Sequence, residues 1–179
     1  MTNNKITNIL YSEHDNILKL KNIVGKLINL WNENTQNDES TLQSIIEICK
    51  NYADKIHHFK EEQLLFPTLC EYNPVLENGI VSEMIEHHEL FREMLQRAGD
   101  KLSKKDYHNA LLDLKKYFEL LEDHIIIENN ELFPMAEDSL NSNQLEKLFF
   151  QAIDFDAEFS EQKKEYENKI NSLYNKFNH

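Results

Sequence analysis

The fold of this chain is decided by HHFKEEQLLFP, from His57 to Pro67, and by HIIIENNELFP, from His124 to Pro134. Each segment begins with a histidine, has a glutamate four residues later and ends in Phe-Pro. A histidine and a glutamate at this spacing lie on one face of an α-helix. An imidazole and a carboxylate together are metal ligands typical of iron or manganese. The repeat therefore predicts two helices that each present one His-Glu pair, His57 with Glu61 and His124 with Glu128.

A second His-Glu pair, His58 with Glu62, overlaps the first segment. It lies one residue closer to the proline than the corresponding pair of the second segment does. The repeat therefore selects His57 and Glu61 as the pair that points inward. Successive residues of an α-helix are about 100° apart around its axis. His58 and Glu62 are thus expected either to support the ligands from behind or to lie on the surface.

Two further histidines lie on apolar stripes of other predicted helices. His14 shares its face with apolar residues of the first stripe, which are Leu10, Ile17 and Val24. In the third helix the candidate is either His87 or His88. His88 is preferred because the face of His87 also carries Glu83, whereas that of His88 carries Met84, Phe91 and Leu95. Each half of the chain thus supplies one lone histidine and one His-Glu pair.

Apolar residues recur at intervals of three and four along most of the chain, which is typical of amphipathic helices. Four such segments with short connections predict an all-α fold, an up-down-up-down four-helix bundle. The fifth segment, Ser142–Phe177, predicts an additional C-terminal helix that either packs on the bundle or mediates association with a second copy or a partner protein. The expected domains are therefore the bundle, 1–138, and a C-terminal helical extension, 139–179.

Several boundaries follow from residue types. The first stripe continues to Trp31, and the polar stretch Asn32–Asp38 is expected to be a loop. Gly99 is expected to end the third helix. Ser103 and Asp106 resemble a capping box that opens the fourth helix. Both Phe-Pro pairs are expected to end their helices, because proline lacks the backbone N–H that a helix interior needs.

The composition excludes several classes of partner and of metal site. The 19 basic and 32 acidic residues give a formal net charge of −13, which argues against nucleic acid and against an anionic membrane surface as partners. The 2 cysteines cannot form a disulfide framework or a four-thiolate zinc site. No apolar run is long enough to span a bilayer, and the first residues do not resemble a secretory signal. A cytoplasmic location is therefore expected.

Two other kinds of metal site fail on spacing. Ferritin-like di-iron proteins use Glu-x-x-His, and no histidine here has a glutamate three residues before it. A zincin helix needs His-Glu-x-x-His, and the sequence that begins with His88 has Arg92 at the last position. The remaining alternative is a metal-free helical bundle in which the His-Glu pairs are ordinary ion pairs.

At this point the chain resembles the hemerythrin-like family of His-His-Glu cation-binding domains. The resemblance extends from Ile6 to Asp138 and is most specific at KEEQLLFP and HIIIENNELFP. Among family members, these segments look especially like the di-iron domain of bacterial proteins that repair iron–sulfur clusters and other iron centres. The resemblance implies two iron ions, with manganese also possible, joined by an oxo or hydroxo group and bridged by two glutamates. It implies the ligands His14, His57, Glu61, His88, His124 and Glu128.

The chain also departs from parts of the family. The third helix of the oxygen carriers contains His-x-x-x-His, whereas the residues four after His87 and His88 are Phe91 and Arg92. The carriers place an aspartate five residues after the fourth-helix histidine, where this chain has Asn129. The repair proteins typically carry an amino-terminal domain with a cysteine pair, and the residues before the first helix do not lead us to expect one here. The chain therefore resembles the branch with four histidines and two glutamates.

Taken with the residues, the resemblance implies a protein that binds oxygen or nitric oxide, or that handles iron, in the response to oxidative or nitrosative stress. An alternative is an enzyme, either a di-iron nitric oxide reductase or a peroxide scavenger, which would need an electron donor. A second alternative is the metal-free helical interaction protein, acting through its fifth helix.

Overall fold

The computed structural model describes residues 4–30 and 39–178. Within them the chain forms six long helices and no strand, and the all-α class is confirmed. Their bounds are α1 Ile6–Leu30, α2 39–72, α3 Ile80–Ser103, α4 107–139, α5 Ser142–Glu158 and α6 Ser160–Asn178. The predicted loop Asn32–Asp38, and Trp31 before it, lie outside the described residues. No helix in the described ranges is long and apolar enough to cross a membrane.

Helices α2 and α4 are not uniform. α2 is α-helical over Glu39–Ile48, π-helical over Cys49–His58 and Glu61–Leu65, and α-helical again over Phe66–Tyr72. α4 is α-helical over Tyr107–Ile127, π-helical over Glu128–Leu132 and α-helical over Phe133–Ser139. One π-helical segment therefore begins at Glu61 and another at Glu128. The repeated sequence builds the same backbone feature twice.

The two prolines do not end their helices, contrary to the prediction. Pro67 and Pro134 each lie in the first turn of an α-helical segment that directly follows a π-helical one. A proline inside an α-helix clashes with the carbonyl four residues before it and lacks an N–H. The wider π turn changes the hydrogen-bonding register at that point, so the helix continues.

The connection between α3 and α4 lies later in the chain than predicted, at residues 104–106. α3 continues past Gly99 to Ser103 because Leu102 is buried on the same stripe as Ala98. Lys105 then reverses the chain with a φ of 61°. Ser103 bonds back to the carbonyl of Asp100 within α3 and does not cap α4.

The buried residues form two apolar clusters with a polar layer between them. One cluster contains Ile17, Phe91 and Leu121 among its members, and the other contains Leu10, Met84 and Leu132. On each of three helices, a histidine lies between a residue of one cluster and a residue of the other. These histidines are His14 on α1, His88 on α3 and His124 on α4. The bundle therefore holds its histidines in a layer between two hydrophobic cores.

The C-terminal segment forms two helices and not one. The break falls at Phe159, whose φ of −111° and ψ of 14° are not helical. α5 begins with a capping box between Asn141 and Gln144. The apolar stripe of this segment packs on the bundle, since Leu145, Leu148, Ala152 and Ile170 belong to the two clusters.

Candidate metal centre

The polar layer contains all six predicted ligands, and each of them is buried. α1 contributes His14, α2 contributes His57 and Glu61, α3 contributes His88, and α4 contributes His124 and Glu128. His58, from α2, is buried in the same layer. Burying this many polar groups is costly unless each finds a partner.

The donor atoms form two groups that could each hold a metal ion. The first group consists of His14, His57, Glu61 and Glu128, and the second consists of His58, His88 and His124. Within a group, one donor atom from each residue lies within 4.8 Å of the others. No cysteine belongs to either group, so the donors among the described residues are imidazole nitrogens and carboxylate oxygens.

The two carboxylates of the first group also reach histidines of the second group. Glu61 approaches Nε2 of His57 with Oε1, at 3.3 Å, and Nε2 of His88 with Oε2, at 3.6 Å. Glu128 Oε2 lies 3.2 Å from Nε2 of His14 and 3.2 Å from Nε2 of His124. Each glutamate therefore contacts one histidine of each group.

Several of these atoms have no hydrogen-bond partner among the described residues. They are Nε2 of His14 and both carboxylate oxygens of Glu61 and of Glu128. The contacts to the histidines are short, but they are not aligned as hydrogen bonds. A buried carboxylate without a partner costs on the order of several kcal/mol. A cation bound by these oxygens would remove that cost, so the residues present fit a metal ion.

Three of the four predicted ligand histidines are held from behind at Nδ1. His14 Nδ1 donates to Oδ1 of Asn129 at 2.8 Å, and His57 Nδ1 donates to Oε2 of Glu13 at 2.9 Å. His88 Nδ1 donates to Oε1 of Glu62 at 2.7 Å. An acceptor at Nδ1 fixes the hydrogen there and leaves Nε2 free to ligate. Nε2 of each of these three rings faces the carboxylates.

The pKa values reflect the carboxylates around each ring. Burial lowers the pKa of His57, but Glu61 and Glu13 outweigh it and raise that pKa to about 10. Burial raises the pKa of Glu128, but His124 and His14 bring it well below its ordinary value. Without a metal, His57 is therefore protonated at neutral pH. A metal ion that takes its Nε2 releases that proton.

The position of His58 differs most from the expectation, which placed it behind the ligands or on the surface. The structure buries it, so the surface alternative is wrong, and its ring stacks on that of His88 with centroids 3.7 Å apart. Burial and the neighbouring His88 lower the pKa of His58 well below its ordinary value, which keeps the ring neutral. His57 and His58 both face inward because they end a π-helical segment, whose turn is wider than the α turn assumed for the sequence. In the sequence, the adjacent histidines His57 and His58 are the signal that could have indicated two inward-facing rings.

The other two uncertain residues lie at the edge of the layer. His87 is partly exposed and belongs to neither group, although its Nδ1 is 3.3 Å from Nδ1 of His124. Glu62 is 19% exposed and bonds Arg92 as well as His88. Glu62 therefore supports the layer from behind, as one of the two expectations had it.

The comparisons with known proteins agree with this geometry. A model of the hemerythrin HHE cation-binding domain matches residues 5–136. No curated protein and no solved structure matches the chain. The matched range covers α1 to α3 and α4 as far as residue 136, and it contains every member of the two donor groups. The chain therefore belongs to the hemerythrin HHE cation-binding domain family.

Proposed function

We propose that the chain binds two iron ions, which His14, His57, His88 and His124 would hold together with Glu61 and Glu128. The observation that carries this proposal is the position of the two carboxylates. Each contacts a histidine of both donor groups, and none of their four oxygens has a hydrogen-bond partner among the described residues. A single ion in either group would leave the histidines of the other group without a cation.

The ligands of the two ions follow from the groups. His14 and His57 would bind one ion, and His88 and His124 the other, with His58 as a further nitrogen beside the second. Nitrogen and carboxylate donors without thiolate favour iron, and manganese is compatible with the same donors. The six ligands do not saturate two ions that each take six ligands, so positions remain for a small molecule.

We further propose that these positions take oxygen or nitric oxide, in the response to oxidative or nitrosative stress. Iron, when bound, supplies the electrons that such a diatomic molecule accepts. The chain supplies an apolar surround that limits water around the layer. Phe133 stacks on His14, Phe66 on His88, and Phe91 packs edge-on against His124. We place this activity in the cytoplasm, with iron donation to damaged iron centres as the related role.

The experiment is a metal analysis of the full chain beside its ultraviolet–visible spectrum. We expect about two iron ions per chain after loading with ferrous iron under anaerobic conditions. Addition of nitric oxide or oxygen should then change the spectrum, and removal of the gas should reverse the change if the protein captures it. Sustained consumption of nitric oxide or peroxide with an added electron donor would instead indicate an enzyme. Failure to take up iron or manganese would overturn the proposal in favour of the metal-free bundle.

A further inference from the structure

Four charged side chains from four helices meet beside the metal layer. They are Glu13 of α1, Lys60 of α2, Asp156 of α5 and Lys163 of α6. Lys60 is 0% exposed, and its Nζ lies 2.7 Å from Glu13 Oε1 and 2.7 Å from Asp156 Oδ1. Lys163 Nζ lies 2.6 Å from Glu13 Oε1 and also pairs with Asp156. We call these four residues the charged cluster.

The charged cluster is joined to the metal layer through Glu13. One oxygen of this carboxylate, Oε1, takes both ammonium groups, whereas the other, Oε2, takes the Nδ1 hydrogen of His57. The two lysines therefore fix the position of the Glu13 carboxylate, which in turn orients the ring of His57. Acceptors behind a ligating histidine set the orientation and basicity of its ring.

The supports of the other histidines are built differently. His14 is held by the neutral amide of Asn129, within the bundle. His88 is held by the partly exposed Glu62, which pairs with Arg92, also of the bundle. The support of His57 reaches beyond the bundle, since Asp156 and Lys163 belong to α5 and α6. These two helices lie outside the range that the family model matches, 5–136.

Packing alone does not require these charges. A fully buried lysine is costly to place, and apolar residues of similar volume often stabilise a protein as well or better. The helices α5 and α6 already have apolar contacts to the bundle through Leu148, Ala152 and Ile170. What the charged cluster provides beyond that packing is a fixed position for the Glu13 carboxylate.

We propose that α5 and α6 form a positioning element for the metal centre, in which Asp156 and Lys163, with Lys60, hold Glu13 against Nδ1 of His57. This proposal rests on the proposed function, because it requires a metal ion at His57. The proposal predicts that the two ions differ in how their binding depends on the C-terminal helices. Binding of the ion at His14 and His57 depends on the C-terminal helices, whereas binding of the ion at His88 and His124 does not.

The test is a titration of the full-length, chelator-stripped protein with Co²⁺ under anaerobic conditions, followed by visible absorption. Lys163→Met keeps most of the side-chain volume and removes the ammonium group. We expect one of the two ions to bind about tenfold more weakly, with an altered spectrum, and the other to bind as in the unchanged protein. Lys163→Arg, which keeps the charge, should restore both affinities. Asp156→Ala tests the same link from α5 and should weaken the same ion.

The control is Ile170→Ala, which removes a buried contact of α6 and leaves the charged cluster in place. It should lower stability without changing either affinity. Equal weakening by Ile170→Ala and Lys163→Met would mean that α6 acts through packing alone, and would overturn the proposal. So would unchanged affinities in Lys163→Met and Asp156→Ala. Failure of the unchanged protein to bind Co²⁺ would overturn the proposed function itself, and this inference with it.

Discussion

At the scale of the residue, two carboxylates dominate the chemistry of the layer. Glu61 and Glu128 are fully buried, and their oxygens lack hydrogen-bond partners among the described residues. His14, His57 and His88 are oriented by acceptors at Nδ1, so their Nε2 atoms face the same carboxylates. The arrangement resembles a ligand shell with its supports already in place, which is what tight metal binding requires.

Removing either carboxylate should therefore remove metal. We expect Glu61→Ala and Glu128→Ala to lose at least one ion per chain, because each glutamate contacts histidines of both donor groups. Glu62→Ala should retain both ions and weaken binding by about 10- to 100-fold, because Glu62 only supports His88. Metal content after desalting, measured by atomic absorption, distinguishes these outcomes. Equal loss of metal from all three variants would contradict the assignment of Glu61 as the inward residue.

At the scale of the element, the π-helical segments determine which side chains enter the layer. One begins at Glu61 and another at Glu128, and each is followed by a proline that an uninterrupted α-helix would not accept. A third, Cys49–His58, turns both histidines of the doublet inward. The C-terminal helices are elements of a different kind. α6 has one buried residue, Ile170, and otherwise contacts the bundle through partly buried and charged side chains.

Ile170 should accordingly contribute to the stability of the protein as the buried contact of α6. Ile170→Ala should lower the free energy of unfolding by about 2–5 kcal/mol, the usual cost of emptying a fully buried isoleucine site. Ile153→Ala on α5, where the side chain is 42% exposed, is the matched control and should change it by less than about 1 kcal/mol. Urea unfolding of the metal-free protein, followed by circular dichroism, gives both values. A loss below about 1 kcal/mol in Ile170→Ala would show that α6 does not depend on this contact.

At the scale of the whole molecule, one apolar cluster of the core contains a buried thiol and two buried phenols, which are neutral at physiological pH. Burial raises the pKa of Cys49 from 9.0 to about 12. Burial, as the largest cause, also raises the pKa values of Tyr52 and Tyr117. The unfolded chain ionises these groups at lower pH than the folded chain does. Their contribution to stability is therefore fully present below the unfolded pKa and is lost as the pH rises through the folded one.

Stability should fall in alkali as a result. We expect the free energy of unfolding of the metal-free protein to decrease steadily between pH 9.0 and about 12, the interval over which Cys49 ionises in the unfolded chain and not in the folded one. Cys49→Ala starts from a lower stability, because it leaves a small cavity, and should lose less over the same interval. Urea unfolding of both proteins in chelator at several pH values checks this. Parallel decreases would show that Cys49 does not contribute to the pH dependence.

Much of the fold could be predicted from the sequence because helices follow from local periodicity. Leu10, His14 and Ile17 repeat at helical spacing and are all buried on α1. The two His-Glu pairs could be recognised because their spacing matches one helical turn and recurs before Phe-Pro. The end of α3 was predicted too early, since the packing of Leu102 carries the helix past Gly99. That packing is a long-range effect that local residue types do not report.

The amino-acid sequence by itself determined the class of fold, the family and the kind of donor atom, because these depend on periodicity and on residue type at fixed spacing. Only the tertiary structure decided that His58 faces inward, since a π-helical turn rotates it away from the position that an α-helix predicts. It also decided that each glutamate meets histidines of two groups and that Lys163, which pairs with Asp156, reaches Glu13. These contacts join residues far apart in the chain. Their geometry depends on how the helices pack, which no local pattern encodes.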